Sequence, residues 1–159
     1  MRECLNYKKI DAEILQCEAC SHYCLIKKGE VGICGIRQNI KNKLYLLTYG
    51  QAAAVNIDPI EKKPLFHFLP GSLAYSFGTL GCNFRCANCQ NYDISQIFGM
   101  KGKVEEYNKL FWGEKLSPKE IVKNAKQAGC QSIAYTYNEP TIFLEYALET
   151  MKLAKKQRM

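Results

Sequence analysis

Three cysteines that follow directly on an apolar stretch constrain this chain more than any other feature. Residues 73–80 read Leu-Ala-Tyr-Ser-Phe-Gly-Thr-Leu, which is typical of a buried strand, and Cys82, Cys86 and Cys89 follow with the spacing C-x3-C-x2-C. Three thiolates this close together can bind one face of an iron–sulfur cube and leave its fourth iron without a protein ligand. Such an open position is typical of a reactive metal site, whereas structural sites are closed. The alternatives are a zinc knuckle that a ligand elsewhere completes, or a core turn with incidental thiols.

The second half of the chain carries clear helix and strand signals. Ser117-Pro118-Lys119-Glu120 is a capping box with proline at the first helical position, which predicts a helix that Gly129 ends. Residues 132–137 predict a strand, residues 138–141 a turn, and residues 142–156 a second amphipathic helix. Alternating strands and helices predict an α/β fold with a parallel sheet and right-handed crossovers.

The loops that follow the two predicted strands should lie on the same edge of this sheet. In parallel α/β folds, ligands bind at the C-terminal ends of the strands. The cysteines follow the first strand, and Asn138-Glu139-Pro140 follows the second. This placement predicts that the two loops form one site.

The first part of the chain differs in composition from the rest, and we predict a cysteine-rich module at residues 1–70 ahead of an α/β part at residues 71–159. Residues 1–40 are rich in cysteine and glycine with little periodicity, which predicts a loop-dominated structure. Residues 44–49 and 53–57 predict two short strands, which Gly50 joins as a β-hairpin.

A second group of cysteines lies in this module. It has the spacing C-x2-C-x3-C-x9-C and consists of Cys17, Cys20, Cys24 and Cys34. Four thiolates suit either a closed tetrahedral zinc site or a second, fully ligated [4Fe–4S] cluster, and the sequence leaves both open. His22 is expected to be an exposed loop residue. Of the two remaining cysteines, Cys130 is expected to be small and buried, and Cys4 has no assigned role.

Charge and composition exclude some classes of protein. The formal net charge of +7 is dispersed and accompanies no nucleic-acid motif, so no nucleic-acid partner is expected. No apolar run approaches the ~20 residues that a membrane span needs, and residues 1–6 lack the apolar core of a secretory signal. Seven of the nine cysteines lie in two clusters, which in such a chain is typical of a cytoplasmic protein that uses its thiols for metal binding or catalysis.

The segment from Gly81 to Asn91 resembles the signature of radical S-adenosylmethionine (radical SAM) enzymes, and specifically the branch around the activating enzymes of pyruvate formate-lyase. This resemblance implies an incomplete (β/α) barrel and an enzyme of oxidoreductase type. It implies that Cys82, Cys86 and Cys89 hold a [4Fe–4S] cluster whose fourth iron binds the amino and carboxylate groups of SAM. One electron from the reduced cluster would cleave SAM to methionine and a 5′-deoxyadenosyl radical, which abstracts hydrogen from a substrate.

The Tyr137-Asn138-Glu139-Pro140 segment is similar to the Gly-Gly-Glu-Pro-like segment of the same family, which binds the methionine amino group. The resemblance implies that Asn138 and Glu139 contact SAM. The alternative is that Glu139 and Pro140 only cap the following helix. This chain departs from the family at Asn88, where many members have an aromatic residue beside the adenine; Phe84 or Tyr92 is the candidate replacement.

Residues 58–71, together with the cysteine-rich module, narrow the resemblance to the AmmeMemoRadiSam-system radical SAM enzymes, which carry such a module ahead of the core. The resemblance implies a substrate such as a glycine in a protein, and a reductant such as flavodoxin or ferredoxin. The rival hypotheses are a zinc-binding module without catalytic activity and an iron–sulfur electron-transfer protein.

The length of the second part suggests that the barrel is incomplete. Barrels use about 30 residues for each βα unit, and only two units are visible between residue 73 and residue 159. Two parallel strands alone leave an exposed edge and an uncovered apolar face. We therefore expect this chain to be a fragment or one half of a split enzyme.

Overall fold

The computed structural model describes residues 1–96 and 113–159. The strands in these ranges are β1 (Arg2–Glu3), β2 (Tyr7–Lys9), β3 (Ile14–Cys17), β4 (Leu25–Lys27), β5 (Arg37–Ile40), β6 (Lys43–Leu46), β7 (Gln51–Ala52), β8 (Ala54–Pro59), β9 (Leu73–Gly78), β10 (Glu114–Lys115) and β11 (Ser132–Tyr135). The α-helices are α1 (Tyr92–Ser95), α2 (Pro118–Gln127) and α3 (Leu144–Lys156), and short 3-10 helices span Ile60–Lys62 and Pro140–Phe143. Within the described ranges, no helix has the length and apolar character of a membrane span.

The sheet that positions the candidate site has the strand order β11-β9-β8. β9 and β11 pair in parallel, from Ser132 opposite Ala74 to Tyr135 opposite Phe77, which confirms the predicted parallel pairing. Both strands end two residues earlier than predicted. β8 pairs with the other edge of β9 in antiparallel orientation, so the sheet is mixed and β9 is paired on both sides.

The start of α2 agrees with its sequence signal. The hydroxyl of Ser117 accepts a hydrogen bond from the backbone N–H of Glu120 at 3.3 Å, and the carboxylate of Glu120 accepts one from the backbone N–H of Ser117 at 2.7 Å. Pro118 occupies the first turn, where its missing N–H costs nothing. The chain leaves the helix through Gly129, at a φ of +71°. The capping box is therefore confirmed.

The last helix begins later than predicted. The sequence pattern predicted a helix from residue 142, but Pro140–Phe143 forms a 3-10 helix and α3 starts at Leu144. Phe143 and Tyr146 pack against Phe77 of β9, with ring centroids 6.0 and 5.2 Å apart. This aromatic contact anchors the start of α3 on the central strand of the sheet.

The predicted hairpin of residues 44–49 and 53–57 is wrong. β6 pairs with β5 and β1, whereas β8 pairs with β9, so the two predicted strands belong to different sheets. The hairpin that does form joins β5 to β6 through Lys41 and Asn42, whose φ angles of +50° and +61° suit the tight turns of β-hairpins. Within the first forty residues, β1 to β5 are short, and β2, β3 and β4 form a sheet of their own. More than half of these forty residues lie outside strands, as expected for a loop-dominated start.

A buried ion pair connects the first part of the chain to α3. Arg37 on β5 donates through Nη2 to Oε2 of Glu145 at 2.6 Å and through Nη1 to Oε1 at 3.2 Å. Arg37 Nε donates to the carbonyl oxygen of Ile142 at 2.8 Å, and the backbone N–H of Leu5 donates to Glu145 Oε1 at 2.9 Å. The side chains of Arg37 and Glu145 are 1% and 3% exposed, so both charges are desolvated and satisfied only by each other and by the backbone.

Candidate functional site

The cysteine loop, defined as residues 81–91, leaves the sheet at the C-terminal end of β9 through a left-handed glycine. Gly81 has a φ of +83°, which residues with a Cβ rarely adopt. A Cβ at this position would lie 2.4 Å from the carbonyl oxygen of Cys34 and 2.7 Å from Cγ2 of Ile36. Gly81 is therefore required both by the turn of the chain and by the close approach of the residues before β5.

The three cysteines of this loop differ in exposure. Cys82 is buried, Cys89 is partly buried, and Cys86 is exposed. The Sγ of Cys82 accepts a hydrogen bond from the backbone N–H of Phe84 at 3.4 Å, and the Sγ of Cys89 lies 3.2 Å from the hydroxyl oxygen of Ser95. Donors next to sulfur stabilise a thiolate and tune the potential of a cluster that the thiolate ligates. All three cysteines are free thiols.

The donor set of this loop is compatible with an iron–sulfur cluster. Residues 81–91 contain three cysteines and no histidine or carboxylate, and a ligand set made of soft thiolates alone selects iron–sulfur clusters or zinc. In the described residues, no three Cys, His, Asp or Glu side chains are grouped so that they could hold a metal ion.

The loop of residues 136–141, which we call the Glu139 loop, follows β11 and is bonded to the cysteine loop. Asn138 donates through Nδ2 to the carbonyl oxygens of Thr79 and Gly81 at 2.9 and 2.7 Å, and its Oδ1 accepts from the backbone N–H of Thr79 at 3.3 Å. Asn91 donates through Nδ2 to the carbonyl oxygen of Tyr137 at 2.9 Å. The two loops therefore meet at one edge of the sheet.

These hydrogen bonds give the side chain of Asn138 a structural role that the sequence did not indicate. Its side chain is 8% exposed, and its amide is engaged by backbone groups at the end of β9. The contact between Asn138 and SAM that the resemblance implied stays a prediction. Gly78, the last residue of β9, also has a structural role, because a Cβ at this position would lie 2.3 Å from the carbonyl oxygen of Thr136. Only glycine lets the two strand ends approach this closely.

Glu139 lies in the wall of a cleft. Its Oε1 accepts hydrogen bonds from the backbone N–H of Thr141 at 3.2 Å and from the hydroxyl of Thr141 at 2.5 Å, so Glu139 does cap the following 3-10 helix. The cleft has a volume of about 410 Å³ and is lined by Ala19, Cys20, Ser21, His22, Asn83, Phe84, Glu139 and Thr141. It therefore lies between the cysteine-rich module and both loops of the sheet edge.

One residue of the cleft lining also carries an unsatisfied polar group. Asn83 is 6% exposed, and its Oδ1 has no hydrogen-bond partner in the part of the chain that the structure describes. A buried acceptor without a partner is costly, and a bound donor commonly satisfies such a group. The carboxylate of Glu139 makes the cleft suited to a ligand that carries an amino or ammonium group.

Of the four cysteines of the N-terminal module, Cys20 lines the cleft, but the four do not form a metal site in the described residues. Cys17 and Cys34 are buried, and Cys20 and Cys24 are partly buried. Burial raises the pKa of Cys34 to about 11 and also raises the pKa of Cys17. The absence of a metal-holding group among the described residues applies to these cysteines too, so the predicted zinc site or second cluster stays a prediction.

The other residues that the sequence singled out differ in their exposure to solvent. His22 is exposed, as expected, but its ring Nε2 lies 2.9 Å from the carbonyl oxygen of Asn83, a contact that no sequence signal indicated. Cys130 is 5% exposed, which confirms its predicted burial, and Cys4 is 4% exposed. Phe84 and Tyr92 are both largely exposed.

Comparisons with known proteins agree with this geometry. The family model of the Radical SAM superfamily matches residues 77–159, which include both loops. The chain is 42% identical over its whole length to the uncharacterized protein MJ0808 of Methanocaldococcus jannaschii and covers 45% of that protein. It is 25% identical over 88% of its length to the uncharacterized protein MJ0674 of the same organism and covers 36% of it. The chain thus spans less than half the length of these curated relatives, and no solved structure matches it.

Proposed function

The chain belongs to the radical SAM superfamily, which implies iron–sulfur chemistry with SAM, and we propose that it cleaves SAM reductively so that a substrate can lose a hydrogen atom. The observation that carries this proposal is the bonding of the cysteine loop to the Glu139 loop at one edge of the sheet. That arrangement brings an open-cluster ligand set and a carboxylate to the same place.

In this proposal, Cys82, Cys86 and Cys89 are the protein ligands of the [4Fe–4S] cluster. When bound, the cluster supplies the electron that cleaves SAM to methionine and a 5′-deoxyadenosyl radical. The donors beside Cys82 and Cys89, which are the Phe84 N–H and the Ser95 hydroxyl, stabilise negative charge on the thiolates. Because Cys86 is exposed, the solvent-facing side of the loop has room for the cluster.

Glu139 is proposed to bind the amino group of SAM. Its Oε1 is fixed by two hydrogen bonds from Thr141, which orients the carboxylate before a ligand arrives. A carboxylate and an ammonium group form a charge-assisted hydrogen bond, which is stronger than a neutral one. Asn138, whose amide also bonds to the backbone carbonyls of Thr79 and Gly81, is proposed to contact SAM beside Glu139. The exposed ring of Phe84 or Tyr92 is proposed to pack on the nucleotide in place of Asn88.

The proposed substrate and reductant follow from the resemblance to known radical SAM enzymes. We propose a substrate such as a glycine in a protein, by analogy with activating enzymes of pyruvate formate-lyase and with AmmeMemoRadiSam-system enzymes. We propose a flavodoxin or ferredoxin as the reductant, and zinc or a second cluster at the N-terminal cysteines. Nine free thiols and an oxygen-sensitive cluster suit a reducing compartment, so the cytoplasm is the proposed location.

Metal analysis of the anaerobically reconstituted chain tests this function. We expect about four irons and four sulfides per chain, with one zinc if the N-terminal site is structural, or about eight irons if it holds a second cluster. The electron paramagnetic resonance (EPR) spectrum of the reduced cluster should change when SAM is added. Zinc without sulfide would contradict the proposal and favour a zinc-binding module, and a full set of clusters without a response to SAM would favour electron transfer.

Replacing Glu139 by glutamine tests the amino-group contact. We expect the Kd for SAM to rise by about tenfold to a hundredfold, because a hydrogen bond to a charged group contributes about 1.5–3 kcal/mol. Titration of the SAM-dependent EPR change gives the Kd. Glu13→Gln, a change at an exposed carboxylate outside the cleft, is the matched control and should bind SAM normally. An unchanged Kd in Glu139→Gln with normal iron content would remove Glu139 from the SAM site.

A further inference from the structure

The cysteine-rich segment, defined as residues 17–34, contacts the cysteine loop through a reciprocal pair of hydrogen bonds. The ring Nε2 of His22 lies 2.9 Å from the carbonyl oxygen of Asn83, the residue after the first cysteine of the loop. In the opposite direction, Arg85 of the loop donates through Nη2 to the carbonyl oxygen of Ile33 at 2.7 Å. The cysteine-rich segment thus supplies a side chain that bonds to the carbonyl next to Cys82, and the cysteine loop supplies one that bonds to the carbonyl next to Cys34.

The direction of the His22 contact follows from its partner. A carbonyl oxygen only accepts hydrogen bonds, so Nε2 of His22 carries the proton and donates to Asn83. Arg85 also donates through Nη1 to the carbonyl oxygens of Cys82 and Phe84, at 2.7 and 2.9 Å. The backbone carbonyls of residues 82–84 are therefore all held by side chains. His22 and Gln96, which donates to the carbonyl oxygen of Phe84 at 3.0 Å, are contributors from outside the loop, and His22 is the one from the N-terminal module.

The same segment forms one side of the cleft that contains Glu139. Cys20 and His22 line it from the N-terminal module, whereas Asn83 and Glu139 line it from the sheet edge. Asn83, whose buried Oδ1 lacks a partner in the described ranges, belongs to this lining. Since His22 bonds to the backbone of Asn83, it connects the two sides of the cleft.

We propose that the cysteine-rich segment is part of the SAM site. It forms one wall of the cleft, and His22 is a positioning residue that holds the cysteine loop through the carbonyl group of Asn83. This inference rests on the proposed function, because it assigns the cleft to SAM. It adds a residue from the N-terminal module, which lies outside residues 77–159, to the site that the family match covers.

Two substitutions of His22 separate the hydrogen bond from the bulk of the side chain. His22→Leu removes the donor, whereas His22→Gln keeps an N–H group at a similar reach. His67→Leu is the matched control, because His67 is the second histidine of the chain, is exposed and does not line the cleft. Hydrogen exchange of residues 81–91 in the metal-free chain measures how firmly the loop is held, and the EPR spectrum and SAM Kd of the reconstituted chain measure the effect on the site.

We expect His22→Leu to speed exchange in residues 81–91 and to raise the SAM Kd, each by about three- to tenfold, since one hydrogen bond contributes about 0.5–1.5 kcal/mol. It should also shift the EPR spectrum of the reduced cluster, and His22→Gln should restore all three. Wild-type exchange, spectrum and Kd in His22→Leu would overturn the inference. A wild-type chain that forms no SAM-responsive cluster would instead overturn the proposed function, and unchanged exchange in His22→Leu would still refute the positioning role.

Discussion

The Cys86→Ala variant is expected to lose its open [4Fe–4S] cluster, and with it the EPR response to SAM. A cluster of this type needs three protein thiolates, and two leave a second iron exposed to solvent. Cys86 is the most informative of the three cysteines, because it is exposed and its replacement creates no cavity in the core. Iron and sulfide analysis after anaerobic reconstitution should therefore show the loss of about four irons, while the thermal unfolding of the metal-free chain stays unchanged.

Two other cysteine variants serve as controls for this result. Cys130→Ala changes a buried cysteine outside both groups and should retain full iron content and the response to SAM. Cys24→Ala changes the N-terminal group at a residue that does not line the cleft, and it should lose the metal of that site while keeping the iron of the cysteine loop. If Cys86→Ala retained its iron and its SAM response, Cys86 would not be a ligand, and the assignment of the cysteine loop would be wrong.

Features that depend on neighbours in the sequence could be predicted from it. The capping box at Ser117 fixes the start of α2 because the reciprocal hydrogen bonds join residues three apart. The parallel pairing of β9 and β11 follows from a strand, a crossover helix and another strand in succession. The cysteine spacing of the site is equally local, and it leads to the same family as the comparison that matches residues 77–159.

Pairing between distant strands could not be predicted in this way. Gly50 suggested a hairpin, but the turn that forms uses Lys41 and Asn42 in left-handed conformations without any glycine. β8 pairs with β9 in a register that places Ala54 opposite Gly78 and Pro59 opposite Leu73. Nothing near β8 in the sequence specifies this partner. Short strands carry too few alternating residues to specify a partner.

The same limit applies within the candidate site. The sequence identified Asn138 from its place in a family motif, but a motif does not say which atoms a side chain touches, and here the amide bonds to the end of β9. His22 was expected to face solvent, and its contact with Asn83 spans 61 residues. Contacts of this kind depend on how the N-terminal module packs on the sheet edge, which no local pattern encodes.

The buried ion pair of Arg37 and Glu145 gives the second large expected effect, this time on stability. Glu145→Ala should lower the free energy of unfolding by about 3–5 kcal/mol, because it leaves the Arg37 charge buried without a partner. The change also removes the acceptor of the Leu5 backbone N–H, so both the start of the chain and β5 lose an attachment to α3. Urea denaturation followed by circular dichroism measures the loss as a lower midpoint.

Two further variants distinguish the cost of an unpaired charge from the value of the pair itself. Glu3→Gln breaks an exposed ion pair between Glu3, whose side chain is 42% exposed, and Lys43, whose side chain is 52% exposed. This change should barely alter the urea midpoint. The double variant Arg37→Met with Glu145→Leu should recover much of the lost stability, because apolar residues of similar size often replace a buried pair without loss. If Glu145→Ala unfolded at the same midpoint as Glu3→Gln, water would have to reach Arg37, and the pair would not be the buried link between β5 and α3. Since this link holds the N-terminal module against the core that carries the cysteine loop, its loss should also weaken the retention of iron at that loop.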